Sequence, residues 1–384
     1  LARWLLPREY GAYSVCWSVL LVLAGFHNAL ILEPMTIVGP AEYGERLSGY
    51  LRSNDRLNWF VMLVLAAITI LVAFAYRRDG VRAPLLVLAA CLPGYLLLLV
   101  ARRKQYVLNR PGHALRLSLF YALVVFVIAG AAKASGRLSV PWAVGAIGIG
   151  GGVGLNGVSI WNSLADDVSL AALAREHWRY GKWLFASALL AMGAPDVQTI
   201  LLSMLVDLKS AGALRALMNF VLPLSQLITI LGIYALPRLA GRAKQWGAHE
   251  LLKRGILFPA AMTGLIAVYL GAMTLFAPQL ERVLYGGRMR SYMQWVPLLA
   301  ASAFIAGVGA CFSTLLRAVQ NSQHQFIAGI TGSAVGIGCA FYLLRRLGIA
   351  GAFWSMLAAN LSSTLIIVGS YLWLLKNTRK TAVL

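Results

Sequence analysis

The residues best suited to chemistry share one face of one apolar stretch. Within 212–237, Arg215, Asn219, Leu222, Gln226 and Thr229 follow one another at spacings of four, three, four and three. That rhythm places them on one side of a helix. A guanidinium and two amides on one face can hold an anion and neighbouring hydroxyls. They cannot supply acid–base catalysis. Asp196 is the one acid expected near the middle of an apolar stretch, beside Pro195, with Thr199 and Ser203 on its face. An ionisable group at that depth is a candidate for gating or coupling transport. No paired carboxylates, catalytic triad spacing, Walker A motif, H-E-x-x-H or H-x-H occurs. The expectation is therefore a protein that is not an enzyme, with no catalytic residues, metal or cofactor. The four cysteines, Cys16, Cys91, Cys311 and Cys339, lie inside apolar runs without a C-x-x-C and read as small core residues.

The elements that position these residues are membrane helices. The chain has 384 residues, of which 60% are hydrophobic and 12% charged. A soluble fold has no place to bury that much apolar surface. Spans of about 20 apolar residues are expected at 11–32, 58–76, 84–101, 115–132, 141–162, 183–206, 212–237, 255–277, 293–316, 325–344 and 349–375. No stretch has strand alternation, so the fold class is all-α, a polytopic membrane protein of about eleven helices.

The net charge of +21 does not indicate nucleic acid. The bases sit in short clusters between apolar runs, as in Arg77-Arg78 and Arg102-Arg103-Lys104, which is the pattern of the positive-inside rule. The more basic set of loops puts the C-terminus in the cytoplasm and, with eleven spans, Leu1 outside.

A repeat is legible at an offset of 201 residues. It pairs Arg8-Glu9-Tyr10-Gly11 with Lys209-Ser210-Ala211-Gly212, and carries the polar stripe onto Ser14, Ser18, Leu21, Gly25 and Asn28. Two equivalent polar faces suggest a shared aqueous cavity lined by Arg215, Asn219, Gln226, Asn28 and Ser18. Ordinary helix–helix hydrogen bonding is the plainer alternative. The repeat gives two helical bundles, 1–163 and 183–384, joined by an interfacial linker at 164–182. It also makes the first span the second helix of its half, so a first helix is expected upstream of Leu1.

Two further stretches have plain readings. "GVGLNG" at 152–157 fits G-x-G-x-x-G, but it continues an apolar run instead of following a strand. Close helix packing or a flexible bend is the expected role. "REHWRYGKW" at 175–183 reads as a basic-aromatic segment at the cytoplasmic membrane surface.

Together these features resemble the multidrug/oligosaccharidyl-lipid/polysaccharide (MOP) exporter superfamily, and most nearly its polysaccharide flippases. The resemblance rests on "LLPREYGAYS", "NALILEPM", "HWRYGKW", "SAGALRALMNFVLPLSQ" and "ALPRLAG". It implies two pseudo-symmetric halves and, again, an absent first helix. It implies the flipping of an undecaprenyl-pyrophosphate-linked oligosaccharide across a bacterial inner membrane. The implied partners are that lipid, the surrounding membrane lipids, and the glycan polymerase and glycosyltransferases of the same pathway. A cavity with cationic and amide groups suits such a cargo. Two alternatives stand beside it. A cation-coupled multidrug exporter of the same superfamily would need acids in its cavity, and acids number only 13 against 34 bases. A membrane glycan polymerase or glycosyltransferase would need a large catalytic loop.

Overall fold

A computed structural model describes residues 1–76, 80–157, 168–190, 195–319 and 323–381. These residues form two compact units, Leu1–Leu189 and Leu190–Leu384. Every regular element described in either unit is helical.

In the first unit, α1 (Pro7–His27) runs through a π-helical turn (Asn28–Leu32) into α2 (Glu33–Glu42). Next come α3 (Leu47–Ala75), α4 (Arg82–Val107), α5 (Pro111–Ala134), α6 (Val140–Gly151) with a 3-10 turn (Gly152–Gly157), and α7 (Leu170–Leu190). Proline opens α1, α5 and α6 within the first two positions, where its missing N–H costs nothing. The run "GVGLNG" is a packing surface, as expected. A Cβ on Gly151 or Gly154 would stand 2.5 Å from the backbone of α4, so only glycine lets the two helices approach this closely. One core cluster joins Ile31, Leu32, Met35, Tyr50, Val100 and Leu173, and so ties α7 to α2, α3 and α4. Leu115, Leu119, Leu123, Phe126 and Val127 leave one side of α5 apolar and exposed, as a lipid-facing helix requires.

The second unit holds α8 (Pro195–Leu205), α9 (Leu208–Gly255), α10 (Leu257–Leu275), α11 (Ala277–Tyr285), α12 (Val296–Ala318), α13 (Gln323–Leu347) and α14 (Ile349–Thr381). The long α9 is two helices joined at Gly247, whose φ of 80° lies where only glycine is unstrained. Its core gathers Leu239, Leu251, Leu315, Ala328, Ile367 and Tyr371.

Among the described residues nine helices are long and apolar enough to cross a membrane. They coincide with nine of the expected spans. The other two differ. The span expected at 141–162 is a shorter apolar helix, Val140–Leu155, and residues from 158 on lie outside the described set. The span expected at 183–206 is divided between the end of α7 and α8, and 191–194 lie outside the described set. Asp196 therefore sits in the first turn of an 11-residue helix, not in the middle of a long one. Pro195 accounts for this: proline starts a helix readily and is disfavoured within one.

Candidate functional site

The second unit brings two of the sequence-derived candidates into direct contact. Arg215, in the second turn of α9, donates from Nη1 to Asp196 Oδ1 of α8 at 2.7 Å. The pair is partly open: the side chains are 15% and 23% exposed. The local sequence fixes this geometry. Asp207 caps α9, accepting from the Ser210 backbone N–H at 2.8 Å and from its hydroxyl at 2.9 Å. That sets where the helix begins and so which face carries Arg215.

One turn on, Asn219 donates from Nδ2 toward the Tyr285 hydroxyl at 3.4 Å, and that hydroxyl donates to Ala216 O at 2.8 Å. Asn219 is thus held by α11. Gln226 is exposed and stands apart from this group. Thr229 donates to Ser225 O at 2.8 Å and borders a cavity of about 360 Å³ between α9, α12 and α14.

The repeat partners in the first unit are placed differently. Ser14 is buried and donates to Tyr10 O at 2.7 Å. Ser18 is fully buried in α1. Asn28, in the π-helical turn, accepts from Arg103 Nη2 at 2.9 Å and donates to Glu33 Oε1 at 3.5 Å. Arg103 and Glu33 lie 3.8 Å apart. Asn28 therefore belongs to a small ionic cluster.

That unit also holds polar groups which sequence reasoning passed over. Lys104 donates to Asp55 at 2.8 Å, with side chains 10% and 0% exposed. His27 Nε2 and Asn58 Oδ1 are 2.6 Å apart, both buried. Asp55 lies three residues before the apolar run that starts at 58, so the expected span boundary hid it. The spacing Asn54, Asp55, Asn58 on one helix was the signal that could have found it.

The segment "REHWRYGKW", expected at a membrane surface, packs into the first unit. His177 of α7 is buried, with Nδ1 3.0 Å from Leu30 O and Nε2 2.9 Å from the Tyr50 hydroxyl. The π-helical turn interrupts the regular ladder, and one of its carbonyls meets His177. Burial lowers the His177 pKa; the bond to Leu30 and the neighbouring Glu176 oppose this. In the neutral imidazole, Nδ1–H donates to Leu30 O and Nε2 accepts from the Tyr50 hydroxyl, which also lies 3.4 Å from Pro34 O. Beside it, Tyr43 donates to Glu176 at 2.7 Å. Burial, with Glu176 and Glu42 nearby, pushes the Tyr43 phenol up to about 12. The neighbouring Glu176 raises the pKa of the Glu42 carboxyl.

No protein-family profile matches the chain, and no curated sequence matches it. Solved structures do. A structure described as the inward-facing conformation of a multidrug resistance MATE family transporter of the MOP superfamily aligns with a TM-score of 0.77. It is 13% identical, over 98% of this chain and 92% of that one. The lipid II flippase MurJ, in an inward closed conformation, aligns at 0.75 and 13% identity, over 94% and 81%. A MOP superfamily transporter from Pyrococcus furiosus, described as having a binding pocket of reversed polarity, aligns at 0.57 and 13%, over 95% and 85%. The fold is that of the MOP superfamily transporters, as the sequence resemblance implied.

Proposed function

We propose that this chain, folded as the MOP superfamily transporters are, is a membrane transporter of about eleven spans. Its cargo is a lipid-linked oligosaccharide, an undecaprenyl-pyrophosphate carrier, moved across a bacterial cytoplasmic membrane, with its C-terminus in the cytoplasm. The observation that carries this reading is how the acids are used. Asp55, Asp196 and Glu33 each lie against a base, Lys104, Arg215 and Arg103. A carboxylate already neutralised by a base is a poor site for a cationic drug. The partly open guanidinium of Arg215 suits an anion instead.

In this reading Asp196 is the resting partner of Arg215, and the pyrophosphate takes its place during transport. A guanidinium binds phosphate oxygens in a bidentate way. Exchange keeps the cation paired at every stage, which avoids the cost of an isolated buried charge. Asn219 and Gln226 extend the polar face toward the glycan, and Asn28 and Ser18 are its counterparts in the first unit. The glycan polymerase and glycosyltransferases of the pathway are the proposed working partners.

Deleting the gene in its host tests the cargo. Loss of surface glycan, with lipid-linked precursor accumulating and ethidium retention unchanged, is the expected result. Normal surface glycan with increased ethidium retention would assign the chain to drug export instead.

A further inference from the structure

A cavity in the second unit has a lining that belongs to neither the Asp196–Arg215 pair nor the fold's packing needs. Its larger chamber, about 360 Å³, lies between α9, α12 and α14. A second chamber of about 290 Å³, between α12, α13 and α14, shares Ala306, Ala310 and Asn360 with the first. Among the described residues, no charged and no aromatic side chain lines either chamber.

The lining nevertheless carries unspent hydrogen-bonding capacity. Asn360 donates from Nδ2 to the Ser302 hydroxyl at 2.9 Å, which fixes the amide. Its Oδ1 accepts nothing from the described residues. Ser313 is only 7% exposed, lines the second chamber, and its hydroxyl has no partner among the described residues. The Ser363 hydroxyl, on the same chamber, is in the same state.

These groups narrow the ligand chemistry. A cation would find no carboxylate and no aromatic face, and an anion no base. A purely apolar occupant would leave Ser313, Ser363 and the Asn360 carbonyl dry and unbonded, which is costly. What remains is a neutral group that both donates and accepts.

We propose that this cavity binds neutral hydroxylated groups, namely the sugar rings of the cargo's head group, with Asn360, Ser313 and Ser363 as its hydrogen-bonding residues. The identification of those sugars rests on the flippase reading; the chemistry of the site does not. Chambers of about 360 and 290 Å³ are of the order of the smaller small-molecule sites, ~300–1,000 Å³. Thr229 connects the two sites in sequence: it closes the stripe that begins at Arg215 and borders the larger chamber.

The test uses the full chain in nanodiscs with maltose as probe, read by saturation-transfer NMR. Wild-type protein transfers saturation to maltose, and inorganic pyrophosphate at equal concentration does not compete. Asn360→Leu and Ser313→Val each weaken maltose binding about tenfold, the effect of one lost hydrogen bond. Ala310→Leu, which enlarges a side chain lining both chambers without removing a polar group, abolishes it. No maltose signal in wild type, or an undiminished signal in Ala310→Leu, overturns the site. The two readings fail separately. Maltose binding without flipping of lipid-linked oligosaccharide would keep the cavity and refute the flippase. Flipping that is untouched by Asn360→Leu and Ala310→Leu would do the reverse.

Discussion

Two ion pairs of nearly equal length set the two units apart. Lys104–Asp55 in the first unit measures 2.8 Å and Arg215–Asp196 in the second 2.7 Å. Their surroundings differ. Asp55 is fully buried and lies on a helix that also buries Ser53, Asn54 and Asn58. Asp196 is 23% exposed at the start of a short helix. A sealed pair holds helices together, because removing one partner strands the other in a medium that cannot solvate it. A partly wet pair can open at lower cost, since water or a ligand can take up the released charge. The same chemistry is thus sealed in one place and partly open in the other.

Breaking the sealed pair should have the largest effect. Asp55→Ala leaves the Lys104 ammonium buried and should cost about 3–5 kcal/mol, seen as loss of folded protein from the membrane fraction and a lower Tm. Asp55→Leu combined with Lys104→Met should recover most of that loss, since apolar replacement of a whole buried pair is often neutral. Failure of the double variant to recover would mean the pair does more than hold helices. Next in size is the glycine contact that positions α6 on α4. Gly151→Leu places a side chain where a Cβ alone would meet backbone at 2.5 Å. It should destabilise by about 1–3 kcal/mol, the usual cost of overpacking, read by thermal unfolding in detergent.

The open pair should respond in activity and hardly in stability. Asp196→Asn keeps a neutral acceptor for Arg215, so Tm should move by less than about 1 kcal/mol equivalent. Transport should fall, because the amide cannot reset the guanidinium with a full charge. Full transport by Asp196→Asn across a range of pH would leave Asp196 a structural residue.

The smallest expected effect is at α7. The His177 pKa lies below its ordinary ~6.5, so the folded state binds the proton less than an undocked imidazole does. Docking of α7 is therefore fully favoured above about pH 6.5 and weakens as pH falls below it. Once the intrinsic rate is divided out, hydrogen-exchange protection of Leu170–Leu190 should fall as pH drops below about 6.5. His177→Gln should flatten that response. Glu42→Gln separates any contribution of the Glu42–Glu176 carboxyls, which face the same cluster with Tyr43, Tyr50 and Arg179. Protection that does not change with pH in the wild type would refute the role of His177.

Much of this architecture is legible from residue types alone. Apolar runs located nine spans, because a bilayer accepts only helices whose backbone is satisfied internally. The glycines of 148–154 pointed to close packing or a bend, and Gly148, Gly151 and Gly154 meet the backbone of α4 closely. The 4-3-4-3 spacing brought Arg215 and Asn219 onto one face, and the structure places both there. What the pattern could not reveal was partnership across helices. Asp196 with Arg215, Lys104 with Asp55 and His177 with Leu30 are separated by 19, 49 and 147 residues. No local periodicity encodes such contacts. The cavity around Asn360 was equally hidden. Its lining is drawn from four helices, and the alanine, glycine and serine positions in it read as ordinary packing until the gap between them is seen.

The most direct test of the central claim is flipping of undecaprenyl-pyrophosphate oligosaccharide in proteoliposomes, scored by lectin access at the outer leaflet. Wild type and Arg215→Lys, Arg215→Gln and Arg215→Ala variants are compared at equal reconstituted protein. If Arg215 exchanges Asp196 for the pyrophosphate, the glutamine and alanine variants lose flipping. Lysine, a single-point cation, retains an intermediate rate. Wild-type rates in Arg215→Gln, with the protein folded and inserted, would contradict the account.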